Sequence, residues 1–333
     1  MRAFRVTLDG TLLPRKALPS SPTNRLLLIG ASGQVGSALL PRLSELGEVS
    51  APRHSQLDLA SEESIRAAVR SFQPDVIINA AAYTAVDLAE SQPDLAMRVN
   101  AGAPGILAVE ARQAKALLVH YSTDYVFDGT KRTPYREEDT TAPRNEYGRT
   151  KLLGEQRVAA AGGAYLILRT GWIYASQGKN FLVTMLRLGA EREMLRIVDD
   201  QIGTPTPAAV VADATLRILE FCRQHGADMS EYLRSLAGIY HVGCAGQTSW
   251  FRFALAIFEQ ARSMGMGARL RVTNVVPTTT EEYPTPAQRP RYSVLSKEKI
   301  IRTYGVQPPP WEDGLARVMR QVARPDLKEE PVP

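Results

Sequence analysis

The sequence predicts an α/β protein: a doubly wound parallel sheet carrying a smaller, discontinuous α/β lobe. Three observations point to it. Short apolar runs alternate with segments of helical spacing from Arg25 to Arg169, which implies parallel strands joined by helical crossovers. A glycine-rich turn separates the first apolar run from the first helical segment. Beyond Gly171 the alternation breaks into irregular pieces rich in proline and turns, apart from one helix and one strand that resume the earlier pattern.

Leu26-Leu-Leu-Ile29, ended by Gly30, suits a strand buried on both faces. Residues 35–46 have helical spacing, and Gly47-Glu-Val-Ser-Ala51 reads as a second strand. Residues 61–70 form a helix that Ser61 is placed to cap. Asp75-Val-Ile-Ile-Asn-Ala80 is a buried strand, residues 95–114 a helix and Leu117-Leu-Val-His-Tyr121 a strand again. A helix over 147–161 and a strand over 165–169 complete the series; the helix 208–222 and the strand 238–243 rejoin it. The expected division is therefore 25–169 plus 207–244 for the first lobe and 170–206 plus 245–322 for the second. Residues 1–24 are expected to be a flexible extension and the polar, proline-rich residues 323–333 a frayed tail.

The composition excludes several function classes. The chain has 333 residues, 44% hydrophobic and 23% charged, with a net charge of +5. The cations are scattered, with no stripe to follow a nucleic-acid backbone. No apolar stretch approaches the roughly 18 residues that a membrane span needs, and residues 1–24 lack the apolar core of a secretory signal. Cys222 and Cys244 are too few for a disulfide framework, and the four histidines are not paired at metal-ligand spacing. A cytoplasmic protein with no metal centre, no membrane partner and no nucleic-acid partner is expected.

Gly30-Ala-Ser-Gly33-Gln-Val-Gly36 lies between a strand and a helix, the context that a dinucleotide fingerprint requires. Glycines there allow the tight turn and let backbone approach a pyrophosphate, which the helix N-terminus then meets with free N–H groups. The spacing is Gly-x-x-Gly-x-x-Gly, and a purely structural turn is the alternative. At the end of the second strand an acid would favour NAD and a cation NADP. Ala51-Pro-Arg53-His54-Ser55 has no acid, so Arg53 points to NADPH, with NADH as the other donor; a merely solvated arginine is the alternative. Asp58 and Leu59 follow where the adenine would lie. The first lobe thus reads as a Rossmann-type, NAD(P)-binding domain.

Tyr147-Gly-Arg-Thr-Lys151 places a phenol and an ammonium on one helix face. A cation near a tyrosine favours the phenolate and makes the group usable as a general acid or base. Ser122-Thr123-Asp124 ends a parallel strand, the edge at which open sheets bind ligands. Thr123 can therefore hydrogen-bond a substrate carbonyl oxygen beside Tyr147, or else cap the following loop.

These features resemble the short-chain dehydrogenase/reductase superfamily in its extended, sugar-nucleotide branch. Five segments narrow the resemblance: Asn79-Ala-Ala-Ala-Tyr-Thr-Ala-Val-Asp87, His120-Tyr-Ser-Thr-Asp-Tyr-Val-Phe127, Asn145-Glu-Tyr-Gly-Arg-Thr-Lys-Leu152, Arg169-Thr-Gly-Trp-Ile-Tyr174 and Tyr283-Pro-Thr-Pro-Ala-Gln-Arg-Pro290. Together they resemble the dTDP-4-dehydrorhamnose reductase family, from about Arg25 to Val322. The resemblance implies Thr123, Tyr147 and Lys151 as the catalytic set. It implies cofactor contacts at Gly33, Gln34, Val35, Arg53, Asp58, Leu59, Ala82, Tyr83, Thr84 and Tyr121, beside Gly30, Tyr147 and Lys151. It implies sugar-nucleotide contacts at Thr123, Asp124, Tyr147 and Trp172, and so makes the second lobe the substrate-binding lobe. Asn100 matches an asparagine that props the active-site helix in the superfamily, with a helix-cap role as the alternative.

The implied reaction is reduction of dTDP-4-dehydro-6-deoxy-L-mannose by NADPH to dTDP-L-rhamnose, a precursor of bacterial surface polysaccharide. Tyr147 would protonate the developing alkoxide, Lys151 would stabilise the phenolate and hold the nicotinamide ribose, and Thr123 would donate to the carbonyl oxygen. A sugar-nucleotide dehydratase would need a second acid after Asp124, where Tyr125 stands. Another reductase or an epimerase of the same branch, and a non-catalytic regulatory subunit of the same fold, are the remaining readings. Some members bind Mg²⁺ at a dimer contact through glutamates; the matching positions are Ala38, Ala209 and Gln321, and neighbouring shifts near the last offer Arg317, Arg320 and Arg324. No Mg²⁺ requirement is expected, and either a monomer or a weak homodimer.

Overall fold

The computed structural model describes residues 4–6, 12–14, 24–224 and 237–323. Of the expected N-terminal extension, Phe4–Val6 and Leu12–Pro14 are described and pair antiparallel. Its other residues up to 23, and residues 324–333 of the expected tail, lie outside the described residues.

Six strands form one all-parallel sheet. They are β1 (Asn24–Ile29), β2 (Gly47–Ser50), β3 (Val76–Asn79), β4 (Leu117–Thr123), β5 (Ala164–Thr170) and β6 (Gly238–His241). Their spatial order is β6-β5-β4-β3-β1-β2, so the strand order reverses between β1 and β3. A single strand, β2, lies beyond β1. After it the chain turns back through residues 51–61 and α2 (Glu62–Phe72) to β3 on the other side of β1.

Alternation along each strand divides the core. Leu26 and Leu28 of β1 pack with Val119, Tyr121 and Leu168, under Leu39 and Leu43 of α1 (Gln34–Leu43) and Val211, Leu216 and Leu219 of Ala208–Gln224. Leu27 and Ile29 face the opposite way with Ile77, Leu118 and Ile167. There they meet Ile65 and Val69 of α2, Leu107 and Ala111 of α3 (Ala103–Ala114), and Val158 of α4 (Glu146–Ala160). A strand covered on both faces has no polar face to show, which is why Leu26–Ile29 is continuously apolar. Each such side chain, fully buried, contributes about 1.5–3 kcal/mol.

One helix boundary follows from a side chain, and one helix changes its winding. Ser61 accepts from the Ser64 N–H and caps α2, as expected. The helical run expected over 95–114 is continuous but contains a π-helical turn at Arg98–Gly102. Such wide turns mark places where function outweighs regular hydrogen bonding.

The second apolar cluster joins the helices Phe181–Glu191, Trp250–Ser263 and Trp311–Ala323 to the strand Met194–Val198, which pairs in parallel with Asn274–Thr278. Its centre is Leu182, Phe253, Ile257, Phe258 and Leu315. Ala208–Gln224 contributes Val210 to this cluster and Val211 to the first, so one helix serves both. Ile300, Tyr304 and Val306, within the segment expected to belong to the second lobe, pack into the first cluster. Among the described residues no helix is long and apolar enough to cross a membrane.

Candidate active site

The carboxyl ends of β1 and β4 point to the same edge of the sheet, and the candidate residues gather there. Gly30 has φ of +84°, and a Cβ on it would lie 2.6 Å from the Ala81 nitrogen. A Cβ on Gly36 would overlap the Gly30 carbonyl. These two glycines let the loop, the helix and the β3 end close on one another. Gly33 differs: the nearest atom to a Cβ there is the Gly30 oxygen at 3.3 Å, with nothing else within 4 Å.

Gly33 is the N-cap of α1 and offers no capping side chain. The first-turn N–H groups therefore face an open cradle in which an anion is favoured by hydrogen bonding and the helix dipole. The Gln34 Oε1 is buried there without a partner. This donor set fits the pyrophosphate of a dinucleotide. Arg53 is exposed, and its backbone is fixed by bonds to Gln56 and Leu57 while its guanidinium is left unengaged. Asp58 closes its own turn by accepting from the Ala60 N–H, beside buried Leu59.

Asn100 sits in the π turn, fully buried, and caps no helix. Its Oδ1 accepts from the Tyr83 N–H at 2.8 Å, and its Nδ2 donates to the Tyr83 carbonyl and to Thr150 Oγ1. One amide thus ties the loop Ala82-Tyr83-Thr84 to α4, which is the propping arrangement rather than the capping one.

Three contacts set α4 in place. Asn145 caps it, accepting from the Gly148 N–H at 2.8 Å. A Cβ on Gly148 would overlap the Tyr125 carbonyl, so glycine is what allows the helix to lie against the Thr123–Tyr125 segment. Deeper in, Glu155 accepts from Ser122 of β4 at 2.5 Å and pairs with Arg169 of β5 at 2.6 Å, all buried. Removing one partner of a buried pair of this kind costs about 3–5 kcal/mol.

The result is that Tyr147 and Lys151 of α4 both come against the carboxyl end of β4, where Thr123 stands. The Tyr147 ring stands edge-on to Tyr125, two residues beyond Thr123. Burial pushes the Tyr147 hydroxyl up to about 12, against the partial offset of Thr123. Lys151 donates to the Tyr121 carbonyl at 2.6 Å and lies 3.4 Å from the His120 Nε2; burial lowers its ammonium to about 8. The expected depression of the phenol by the lysine is therefore absent here: burial raises the phenol, and the ammonium is turned to the β4 backbone. Tyr121 itself bonds Thr215 through its phenol, and its ring is buried in the sheet core.

Asp124 is buried behind Thr123, against Gly171, where a Cβ would lie 2.5 Å from the carboxyl. Trp172 follows with φ of 51°, a strained conformation for a bulky residue. Its indole stacks on Trp250 at 3.4 Å between ring centroids and fills the space over Gly203.

Several contributors escaped the sequence reading. Arg289 pairs with Asp87 at 2.8 Å, and Asp87 also accepts from the Ala287 N–H. The Asn145 amide donates to the Gln288 carbonyl at 2.8 Å. Residues 287–289 are thereby latched onto both the β3 loop and the catalytic helix. Both ends of the latch lie inside segments already singled out, but their separation of about 200 residues hides the contact. Ala38, Ala209 and Gln321, brought together from three segments, line one cavity of about 170 Å³ with Arg42, Asp213 and Arg317. Asp213 is its one acid, and both arginines engage it.

Residues 24–324 match the family model described as the RmlD substrate binding domain. A Burkholderia thailandensis dTDP-4-dehydrorhamnose reductase is 46% identical over 298 residues, covering 90% of this chain and 99% of that protein. The Escherichia coli K12 enzyme of the same name is 42% identical over 301 residues, covering 89% and 97%. The crystal structure of the Bacillus anthracis dTDP-4-dehydrorhamnose reductase in complex with NADP superimposes with a TM-score of 0.80 at 37% identity, covering 90% of this chain and 99% of that one. A Rossmann-type sheet with these motifs and relatives of this length leaves one conclusion: the chain belongs to the dTDP-4-dehydrorhamnose reductase (RmlD) family.

Proposed function

We infer that the protein is an NADPH-dependent oxidoreductase that reduces dTDP-4-dehydro-6-deoxy-L-mannose to dTDP-L-rhamnose for nucleotide-sugar synthesis. The observation that carries the reading is that Tyr147 and Lys151 of α4 lie against the end of β4 at Thr123, at the same edge of the sheet as the uncapped glycine loop, in a chain of this family. NADPH, when bound, supplies the hydride. Gly30, Gly33, Gln34 and Val35 hold its pyrophosphate, Arg53 its 2′-phosphate, and Asp58 and Leu59 flank the adenine. Ala82, Tyr83 and Thr84 border its middle. Tyr121 contributes through its backbone carbonyl, which orients Lys151 toward the nicotinamide ribose.

The chemistry assigned to the side chains follows from their states. A phenol held near about 12 is protonated throughout the neutral range, so Tyr147 begins each turnover as an acid and gives its proton to the developing alkoxide. Lys151, buried and still cationic at neutral pH, stabilises the phenolate left behind. Trp172, in its strained conformation on Trp250, borders the sugar nucleotide together with Thr123 and Asp124. The cofactor lobe is 25–169 plus 207–244 and the substrate lobe 170–206 plus 245–322, the latter reaching the active site through the 287–289 latch.

The protein works in the cytoplasm as a monomer or weak homodimer. It has no magnesium requirement, because the cavity around Ala38, Ala209 and Gln321 offers a divalent cation one carboxylate already shared by two arginines. The test is direct: purified protein, NADPH and the 4-keto sugar nucleotide should give NADPH oxidation matched one to one by dTDP-L-rhamnose. Absence of oxidation with an authentic substrate would overturn the assignment.

A further inference from the structure

We propose that Trp250 is a positioning residue of the sugar-nucleotide site: stacked on Trp172, it holds that side chain at the border of the site in a conformation it would not keep alone. The proposal rests on the reductase reading above, in which Trp172 meets the substrate, and adds a residue of the second lobe that acts through it.

Trp172 directly follows Gly171, which packs on the Asp124 carboxyl at the end of β4. Its φ of 51° lies in a region that bulky residues avoid. A residue in such a conformation persists only where its surroundings over-determine it. The Trp172 carbonyl accepts from the Thr206 N–H at 3.1 Å. A Cβ on Gly203 would overlap the indole, so glycine leaves the room that the ring fills. Trp250 lies face to face with the ring, 3.4 Å between centroids and 2° between planes. Free aromatic pairs prefer offset or edge-on contacts to such a sandwich. Both the backbone angle and the stack are therefore imposed by what surrounds them.

Those surroundings belong to the second lobe. Gly203 pairs across strands with Thr248, and Ile202 with Ser249, in antiparallel register. The segment that carries Gly203 and the segment that leads into Trp250 are thus tied by their backbones. Ser249 caps the helix Trp250–Ser263, accepting from the Arg252 N–H at 3.1 Å, and its hydroxyl donates to Asp199. Behind Trp250 lies Phe181, 4.5 Å between ring centroids, and Phe181 stacks in turn with Phe253 at 5.6 Å. An aromatic column therefore runs from Trp172 to Phe253, at the centre of the second apolar cluster.

Two groups act on the Trp172 ring itself. Gly203 only leaves space, whereas Trp250 supplies the attraction. Trp250 is partly buried, and packing of the lobe core alone would not require a strained backbone at the residue it touches. The indole face on Trp250 is covered, so Trp172 meets the substrate with the rest of its surface, and the tilt of the ring sets the width of the site. Without Trp250 the Trp172 backbone can relax and this wall moves. Tyr147, Lys151 and the glycine loop are held by other contacts and stay in place.

Optical and kinetic measurements on one set of variants test this. The chain has three tryptophans, and stacked indoles couple to give an exciton couplet in far-UV circular dichroism. The couplet should be present in wild type, lost in Trp172→Phe and Trp250→Phe, and retained in Trp311→Phe. Trp250→Leu should raise the KM for the sugar nucleotide roughly three- to tenfold, the scale of one aromatic pair, with kcat little changed and the KM for NADPH unaltered. Trp250→Phe keeps a flat ring against Trp172 and should restore most of that KM. Gly203→Ala should raise the same KM with Trp250 still in place, because its Cβ displaces the indole. A residue that only packs the lobe would lower the Tm and the active fraction, and so kcat, while leaving KM alone. That result, or a couplet untouched by Trp250→Phe, would overturn the proposal. A wild type that shows the couplet but does not turn over the keto-sugar would instead count against the reductase reading.

Discussion

The two halves of the site are built by different means. The cofactor edge is made of contiguous backbone: seven residues from Gly30 to Gly36 shape the cradle, and their geometry depends on the absence of side chains. The substrate edge is made of side chains drawn from distant segments. Asp87 meets Arg289, Asn145 meets Gln288, and Asp124 lies against Gly171. A contiguous backbone site is legible as a motif; an assembled one has to be folded before its parts can be recognised. The two should also fail differently when perturbed.

The largest effect belongs to the assembled half. Tyr147→Phe keeps the ring that stands against Tyr125, so the fold and NADPH affinity should survive. Turnover should fall about 100- to 10,000-fold, the usual contribution of general acid catalysis. Stopped-flow NADPH oxidation alongside a thermal melt checks both. A variant with near wild-type turnover would remove Tyr147 from its role.

Next come the glycines, which set backbone against backbone. Gly36→Ala should cost about 1–3 kcal/mol of stability, because its Cβ meets the Gly30 carbonyl and neither chain segment can yield cheaply. Gly33→Ala should leave the Tm nearly unchanged yet raise the KM for NADPH, since its Cβ enters the open cradle. Equal effects of the two on Tm would break the distinction between a packing glycine and a binding one.

Arg53→Asp sharpens the cofactor half further. A charge-assisted bond is worth about 1.5–3 kcal/mol, so kcat/KM with NADPH should drop roughly tenfold or more while that with NADH changes little. Matching losses would take Arg53 off the phosphate. Arg289→Met probes the latch: the pair with Asp87 is partly exposed, so about 1 kcal/mol is expected. That is roughly a fivefold loss in kcat/KM for the sugar nucleotide with NADPH binding intact, separable by titrating each ligand. The smallest effect is none at all, for a chelator at saturating substrate; a loss restored by Mg²⁺ alone would contradict the reading of the Ala38, Ala209 and Gln321 cavity.

What was legible in the sequence follows the same division. The sheet strands could be read because burial on both faces makes Leu26–Ile29 and Leu117–Val119 continuously apolar. The Thr123, Tyr147 and Lys151 cluster could be read because each lies in a distinctive local segment at a predictable end of a strand or face of a helix. The proton affinity of Tyr147 could not: the Tyr–Lys spacing suggests a lowered value, and only the depth of burial and the Lys151 bond to the Tyr121 carbonyl reverse it. The π turn at Arg98–Gly102 was equally hidden, because its residues keep ordinary helical spacing. The Asp87–Arg289 latch depends on a contact across about 200 residues, which no local pattern announces.

The proposed reaction delivers a hydride to the fourth carbon of the keto-sugar while Tyr147 protonates its oxygen. Turnover with NADPH carrying deuterium at the transferred position, followed by NMR of the sugar product, tests it most directly. Wild type should give dTDP-L-rhamnose bearing a single deuterium at C4, and Tyr147→Phe almost no labelled product. Deuterium at another carbon, an unlabelled product, or equal labelling by the two proteins would contradict it.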